Sequence, residues 1–164
     1  MENKLTKGLS FFLTTIVIIM ATVDIFLVVT APWWLKTLYE SSFSDIKIML
    51  GYNYSTTSII YPLMLIFFFI CGLLCLGILI AAFRILYRIR QGVPFCIQNA
   101  TSLRNAALSA FGLSVIFIAK MFFSPSILTL VCAGIFTLFG LFVLVMSLLI
   151  REAARIKEEN ELTI

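Results

Sequence analysis

Four long apolar stretches divide this chain, roughly Leu9–Ala31, Ile59–Phe83, Asn105–Phe123 and Ile127–Ile150. A helix needs about 20 apolar residues to cross the hydrocarbon core of a bilayer, and each stretch approaches or exceeds that length. Backbone N–H and C=O groups cannot stay unpaired in lipid, so each stretch is expected to be a helix. The runs are apolar all round, without the alternation of a membrane β-strand. The charged content is 12%, whereas a soluble domain carries about 25%. A surface that poor in polar atoms suits lipid and not water. The expected fold is therefore all-α, an integral membrane four-helix bundle forming one domain over residues 1–164.

Charge sets the threading. Lys4 and Lys7 precede the first stretch, Arg84, Arg88, Arg90 and Arg104 lie between the second and third, and Arg151, Arg155 and Lys157 follow the fourth. Only Lys36, Lys47 and Lys120 fall toward the opposite side, so nine of the 12 Lys and Arg residues share one face. The positive-inside bias then places the N- and C-termini in the cytoplasm. The net charge of +4 follows from this topology and calls for no direct nucleic acid contact. The first run is too long for the apolar region of a secretory signal and ends in Ala31-Pro32-Trp33-Trp34 without a small-residue cleavage pattern, so it reads as a retained span.

Between the spans, the sequence predicts an outer loop over 32–58, a cytoplasmic loop over 84–104 and a cytoplasmic tail over 151–164. Trp33 and Trp34 are expected as interfacial anchors at the headgroup level. Ser44 is placed to cap a short surface helix over Ile46–Leu50. Pro62 is expected in the first turn of span two, where a missing N–H costs little. Helical spacing continues from Arg84 to Ile89, Gly92 and Pro94 break it, and a second helix starts between Phe95 and Arg104. Ser124-Pro125-Ser126 is a short link that makes spans three and four antiparallel, with Ser124 as cap.

Asp24 is the outstanding residue inside a span, because an intramembrane carboxylate is costly and is a functional hypothesis by default. Counting from Gly8 places it about 24 Å from the cytoplasmic side, and counting from Asn105 places Lys120 at about 22 Å. An ion pair between Asp24 and Lys120, direct or through water, is expected. It would either fix how spans one and three dock or form part of a proton or cation site. Small residues repeat at Gly77 and Ala81, and at Ala106, Ala110 and Ser114, a spacing that lets helices approach closely inside the bundle or in a homo-oligomer.

Catalytic patterns do not emerge. The chain has no histidine, no Gly-rich phosphate loop, and no paired nucleophile and base, so an enzyme is not expected. Cys71, Cys75 and Cys132 sit inside spans and Cys96 on the cytoplasmic side, which suits packing thiols and neither a disulfide framework nor a metal site. No cofactor is expected.

The segment Gly92-Val-Pro-Phe95, then Asn99, then Leu103-Arg104, resembles the loop signature of the bacterial four-span membrane family catalogued as domain-of-unknown-function family 2975. The terminus Ile156-Lys-Glu-Glu-Asn-Glu-Leu-Thr-Ile164 resembles that family's acidic ending before Asn-Asp-Leu-Thr-Val or -Ile. With four spans at matching spacing, the resemblance covers nearly the whole chain. Cys96 stands where a Ser or Thr cap is common, and Glu161 replaces the commoner Asp. The resemblance implies a bacterial plasma membrane, no established catalysis and, from the genes commonly found beside the family, a small helix-turn-helix regulator as partner.

On this reading Arg84, Arg88, Phe95, Asn99 and Arg104 of the loop and Glu158, Glu159, Asn160, Leu162 and Ile164 of the tail form a partner-contact surface, or an internal clasp in which Asn99 and Arg104 bond the tail carboxylates. The first function expected is a non-enzymatic scaffold or sensor acting on that regulator. The second is a small transporter or immunity-type protein that handles a peptide or membrane-active compound through Asp24 and the outer loop.

Overall fold

The structure is a computed structural model. It describes the backbone of residues 2–50, 54–92, 95–122 and 126–161, with side chains over 8–37, 61–92, 95–122 and 126–160. Among the described residues the chain forms four helices and no strand: α1 (Glu2–Leu50), α2 (Tyr54–Arg90), α3 (Ile97–Met121) and α4 (Ile127–Glu161). Each contains a segment long and apolar enough to cross a membrane, over Gly8–Thr37, Tyr61–Arg90, Ile97–Met121 and Ile127–Asn160. The protein is an all-α multi-pass membrane protein, as the composition requires.

The helices overrun the apolar stretches at both ends. α1 passes through Pro32 to Leu50, so Ser44 lies inside it and caps no separate surface helix. α2 begins at Tyr54, which moves Pro62 from the expected first turn into the helix interior. A proline removes one intrahelical bond, and side-chain donors can satisfy nearby carbonyls in a membrane helix. Pro32 leaves the Val28 carbonyl without its N–H; just before it, the Thr30 hydroxyl donates to the Phe26 carbonyl at 2.7 Å, and the Trp34 indole N–H donates to the Leu27 carbonyl at 3.4 Å. The link Ser124-Pro125, with its expected cap, lies outside the described residues.

Packing follows chain order, with close contacts between α1 and α2, α2 and α3, and α3 and α4. All three contacts are antiparallel. The Ser10 hydroxyl donates to the Leu86 carbonyl at 3.1 Å, and at the other end of the same pair the Tyr61 hydroxyl donates to the Pro32 carbonyl at 2.9 Å. Ser147 on α4 donates to the Ala100 carbonyl of α3 at 2.7 Å. The start of α1, the turn between α2 and α3, and the end of α4 therefore share one end of the molecule, the end rich in arginine.

α3 is the central element. Ala106 and Ala107 pack with Ala81 of α2 and Val143 of α4 in a core made mostly of small side chains. Lipid tails are as apolar as leucine, so burial of bulky side chains gives membrane helices little drive to associate; close backbone approach and interhelical hydrogen bonds do the work instead. The expected small-residue faces are those used. A Cβ on Gly77 would lie 3.0 Å from the Ser109 hydroxyl oxygen. Ala106, Ala110 and Ser114 are all buried. The Ser114 hydroxyl lies 3.0 Å from the Ala133 carbonyl and 2.7 Å from the Thr137 hydroxyl.

Candidate functional site

Two places bear chemistry, the arginine-rich end and the middle of α1. At the first, α2 ends with Arg88 and Arg90 in its last turn, where cations suit the helix dipole. Gly92 takes φ 84°, a left-handed conformation that glycine adopts without strain, and its N–H closes the helix onto the Ile89 carbonyl at 3.0 Å. α3 starts after Cys96, whose extended backbone suits an N-cap but whose side chain makes no capping bond. The helix start thus lacks a side-chain cap, and the network next to it ties α2 to α3.

That network centres on Arg88. Its Nη1 donates toward the Gln98 carbonyl at 3.0 Å, Asn99 Oδ1 at 3.2 Å and the Ser102 hydroxyl at 3.1 Å. Asn99 is 1% exposed. A buried amide and a guanidinium satisfy one another, and the charged bond is stronger than a neutral one. The last turn of α2 is therefore tied to the first turns of α3. Phe95 stands 54% exposed just before α3 and Ile97 47% exposed at its start.

The residues expected to meet at this end are partly brought together. Arg88 and Asn99 are bonded. Arg84 and Arg104 are exposed, as are Glu158, Glu159 and Asn160 on the last turns of α4. Arg104 makes no ion pair with the described tail carboxylates; Glu159 instead bonds to Arg155, one turn back on its own helix, at 3.1 Å. Among the described residues the expected clasp thus has no ion pair through Arg104: α4 continues as a helix to Glu161 and carries its acids along its own axis. Leu162 and Ile164 lie outside the described residues. Sequence reasoning missed Ser102 and Ser147, the hydroxyls that tie this end together. Their signal was a polar residue on the same helix face as the alanines.

At the second place, Asp24 Oδ2 is shut away from solvent with no hydrogen-bond partner. The carboxylate lies against α2, with Oδ1 3.9 Å from where a Cβ on Gly72 would sit. The expected direct ion pair with Lys120 is not made. The ammonium of Lys120 instead stands 5.0 Å from the centre of the Phe67 ring, at the edge of an apolar cavity of about 220 Å³ between α2 and α3. The reason is the packing order: among the described residues α1 approaches α2 and not α3, so α2 separates the two charges. Helical rise bears only on position along each helix; which helices touch was not legible from it. Of the two tryptophans, Trp33 is 80% exposed, while Trp34 turns inward, edge-on to Phe68 at 5.1 Å.

Among the described residues no group of three or more acidic, histidine or cysteine side chains gathers to hold a metal. No curated protein and no solved structure matches the chain. The protein family described as a protein of unknown function (DUF2975) matches residues 46–164, a span that includes the turn, the Arg88–Asn99 network and the tail. With that match over most of the chain and four helices long and apolar enough to cross a membrane, the chain belongs to the DUF2975 family of proteins of unknown function.

Proposed function

We propose that this protein is a non-enzymatic scaffold or sensor of the bacterial plasma membrane, with both termini in the cytoplasm, that acts on a cytoplasmic helix-turn-helix regulator. The observation that supports this reading best is the exposed Phe95 just before α3, beside the part-buried Arg88–Asn99 bond that ties α2 to α3. An aromatic anchor beside a tied helix junction loses little entropy on binding, and such residues dominate interface energies. The arginines around it supply charge for an acidic partner surface, and the helical end of α4 supplies a second arm. Co-purification in mild detergent tests the reading. The full chain is expected to retain a helix-turn-helix protein, and Phe95→Ala or truncation after Ile156 is expected to weaken retention by about tenfold or more. Undiminished retention in both variants, or no such protein retained by the full chain, overturns it.

The unpartnered carboxylate of Asp24 favours a second reading. A small transporter or immunity-type protein would use it to handle a peptide or membrane-active compound. Under that reading Asp24→Asn abolishes function, whereas truncation after Ile156 leaves it intact.

A further inference from the structure

Arg104 of α3 and Arg151 of α4 converge on one cavity of about 140 Å³, walled by Ala100, Thr101 and Ser147. Among the described residues no carboxylate lines it. The ion pairs among the described residues belong to Arg155, which bridges to Glu152 and Glu159. The wall hydroxyls are already committed, Ser147 to the Ala100 carbonyl at 2.7 Å and Thr101 to the Ile97 carbonyl at 3.1 Å. Two arginines lining one cavity, with no counter-charge among the described lining residues, repel each other, and an anion between them relieves that repulsion.

A second cavity, of about 770 Å³, shares Ile97 and Arg151 with the first and runs over Val145, Leu148 and Leu149 of α4. Those three side chains are 52%, 58% and 58% exposed. Glu152 and Arg155 close its polar rim, bridged to each other at 3.9 Å. The apolar runs begin just after Arg104 and end just before Arg151, so the arginine cavity lies at headgroup level and the apolar groove at the level of acyl chains. A guanidinium matches the oxygen geometry of a phosphate through paired N–H donors.

We propose that α3 and α4 form a binding site for an anionic glycerophospholipid, with Arg104 and Arg151 on the phosphate and an acyl chain along Val145, Leu148 and Leu149. This site requires only that the chain sit in a bilayer, and it is independent of any protein partner.

Native mass spectrometry of the full chain in mild detergent, offered equal phosphatidylglycerol and phosphatidylcholine, tests it. The unaltered protein is expected to retain phosphatidylglycerol about tenfold over phosphatidylcholine, the worth of one charged hydrogen bond. R104Q/R151Q is expected to lose that preference, while R84Q/R90Q at the same end keeps it. A double variant that retains the preference overturns the proposal. So does an equal loss in R84Q/R90Q, which would mean general surface charge. Displacement of the lipid by soluble glycerol 3-phosphate at matching concentration would mean a free-phosphate site and also overturns it. Loss of a cytoplasmic protein, and not of the lipid, from R104Q/R151Q would assign the cavity to that protein. Should the double variant fail to fold, judged by circular dichroism, R151Q and R104K are each expected to reduce the preference by about threefold, and no reduction in either overturns the proposal.

Discussion

Asp24 is a carboxylate in a span with one oxygen that neither water nor a donor reaches. Such a group is destabilising in its charged form unless it is paired. Asp24→Asn is therefore expected to raise the thermal midpoint in detergent, by an increment of about 1 kcal/mol. With α2 between them, Asp24 and Lys120 should behave independently. The effects of Asp24→Asn and Lys120→Met are expected to add to within about 0.5 kcal/mol in the double variant, measured by thermal unfolding. A coupling well above that would mean that the two charges meet after all. A gain in stability accompanied by loss of function would mark Asp24 as a site that the fold tolerates for its use. The oddity of this residue was legible from the sequence, since a single carboxylate stands in a long apolar run. Its surroundings were not, because helical rise fixes depth along a span and leaves open which neighbour that depth faces.

Helix contacts depend on where a side chain is missing. At Gly72 a Cβ would run into Val28 of α1, and a β-branched valine on a helix has little freedom to swing aside. Gly140 sits under the Phe111 ring, whose nearest atom would be 3.1 Å from an added Cβ. Gly72→Ala is expected to destabilise the α1–α2 contact by about 1–3 kcal/mol, and Val28→Ala in the same chain should restore most of the loss. Thermal unfolding of the two single variants and the double checks this; a double no better than Gly72→Ala alone would show that the clash is not the cause. The spacing of Gly77, Ala81, Ala106, Ala110 and Ser114 was enough to locate the packing faces. Gly72 carried no such pattern. Helix ends were the least legible feature, because Pro32 and Pro62 look like boundaries, yet each removes only one bond from a helix with many others.

Orientation belongs to the whole molecule. The start of α1, the junction of α2 with α3 and the end of α4 lie at the arginine-rich end, so one accessible thiol reports the threading. Cys96 stands at the start of α3 on that end, partly exposed, while Cys71, Cys75 and Cys132 lie within the spans. A membrane-impermeant maleimide is expected to leave Cys96 unlabelled on intact cells and to label it in inverted vesicles. A Lys36→Cys variant should show the opposite pattern. Labelling of Cys96 from outside would reverse the assigned topology and remove the basis for a cytoplasmic partner.

Membership of the lipid phase, the number of apolar helices and the gathering of the arginines at one end were legible in the linear chain. Each follows from local quantities, the length of an apolar run and the charges that flank it. The Arg88–Asn99–Ser102 anchor, the separation of Asp24 from Lys120 and the shared cavity of Arg104 and Arg151 came from packing. They depend on which helix faces meet and how far each is rotated. In a bilayer those choices rest on small-residue fit and single hydrogen bonds, and the bulk hydrophobicity that marks every span is silent about them.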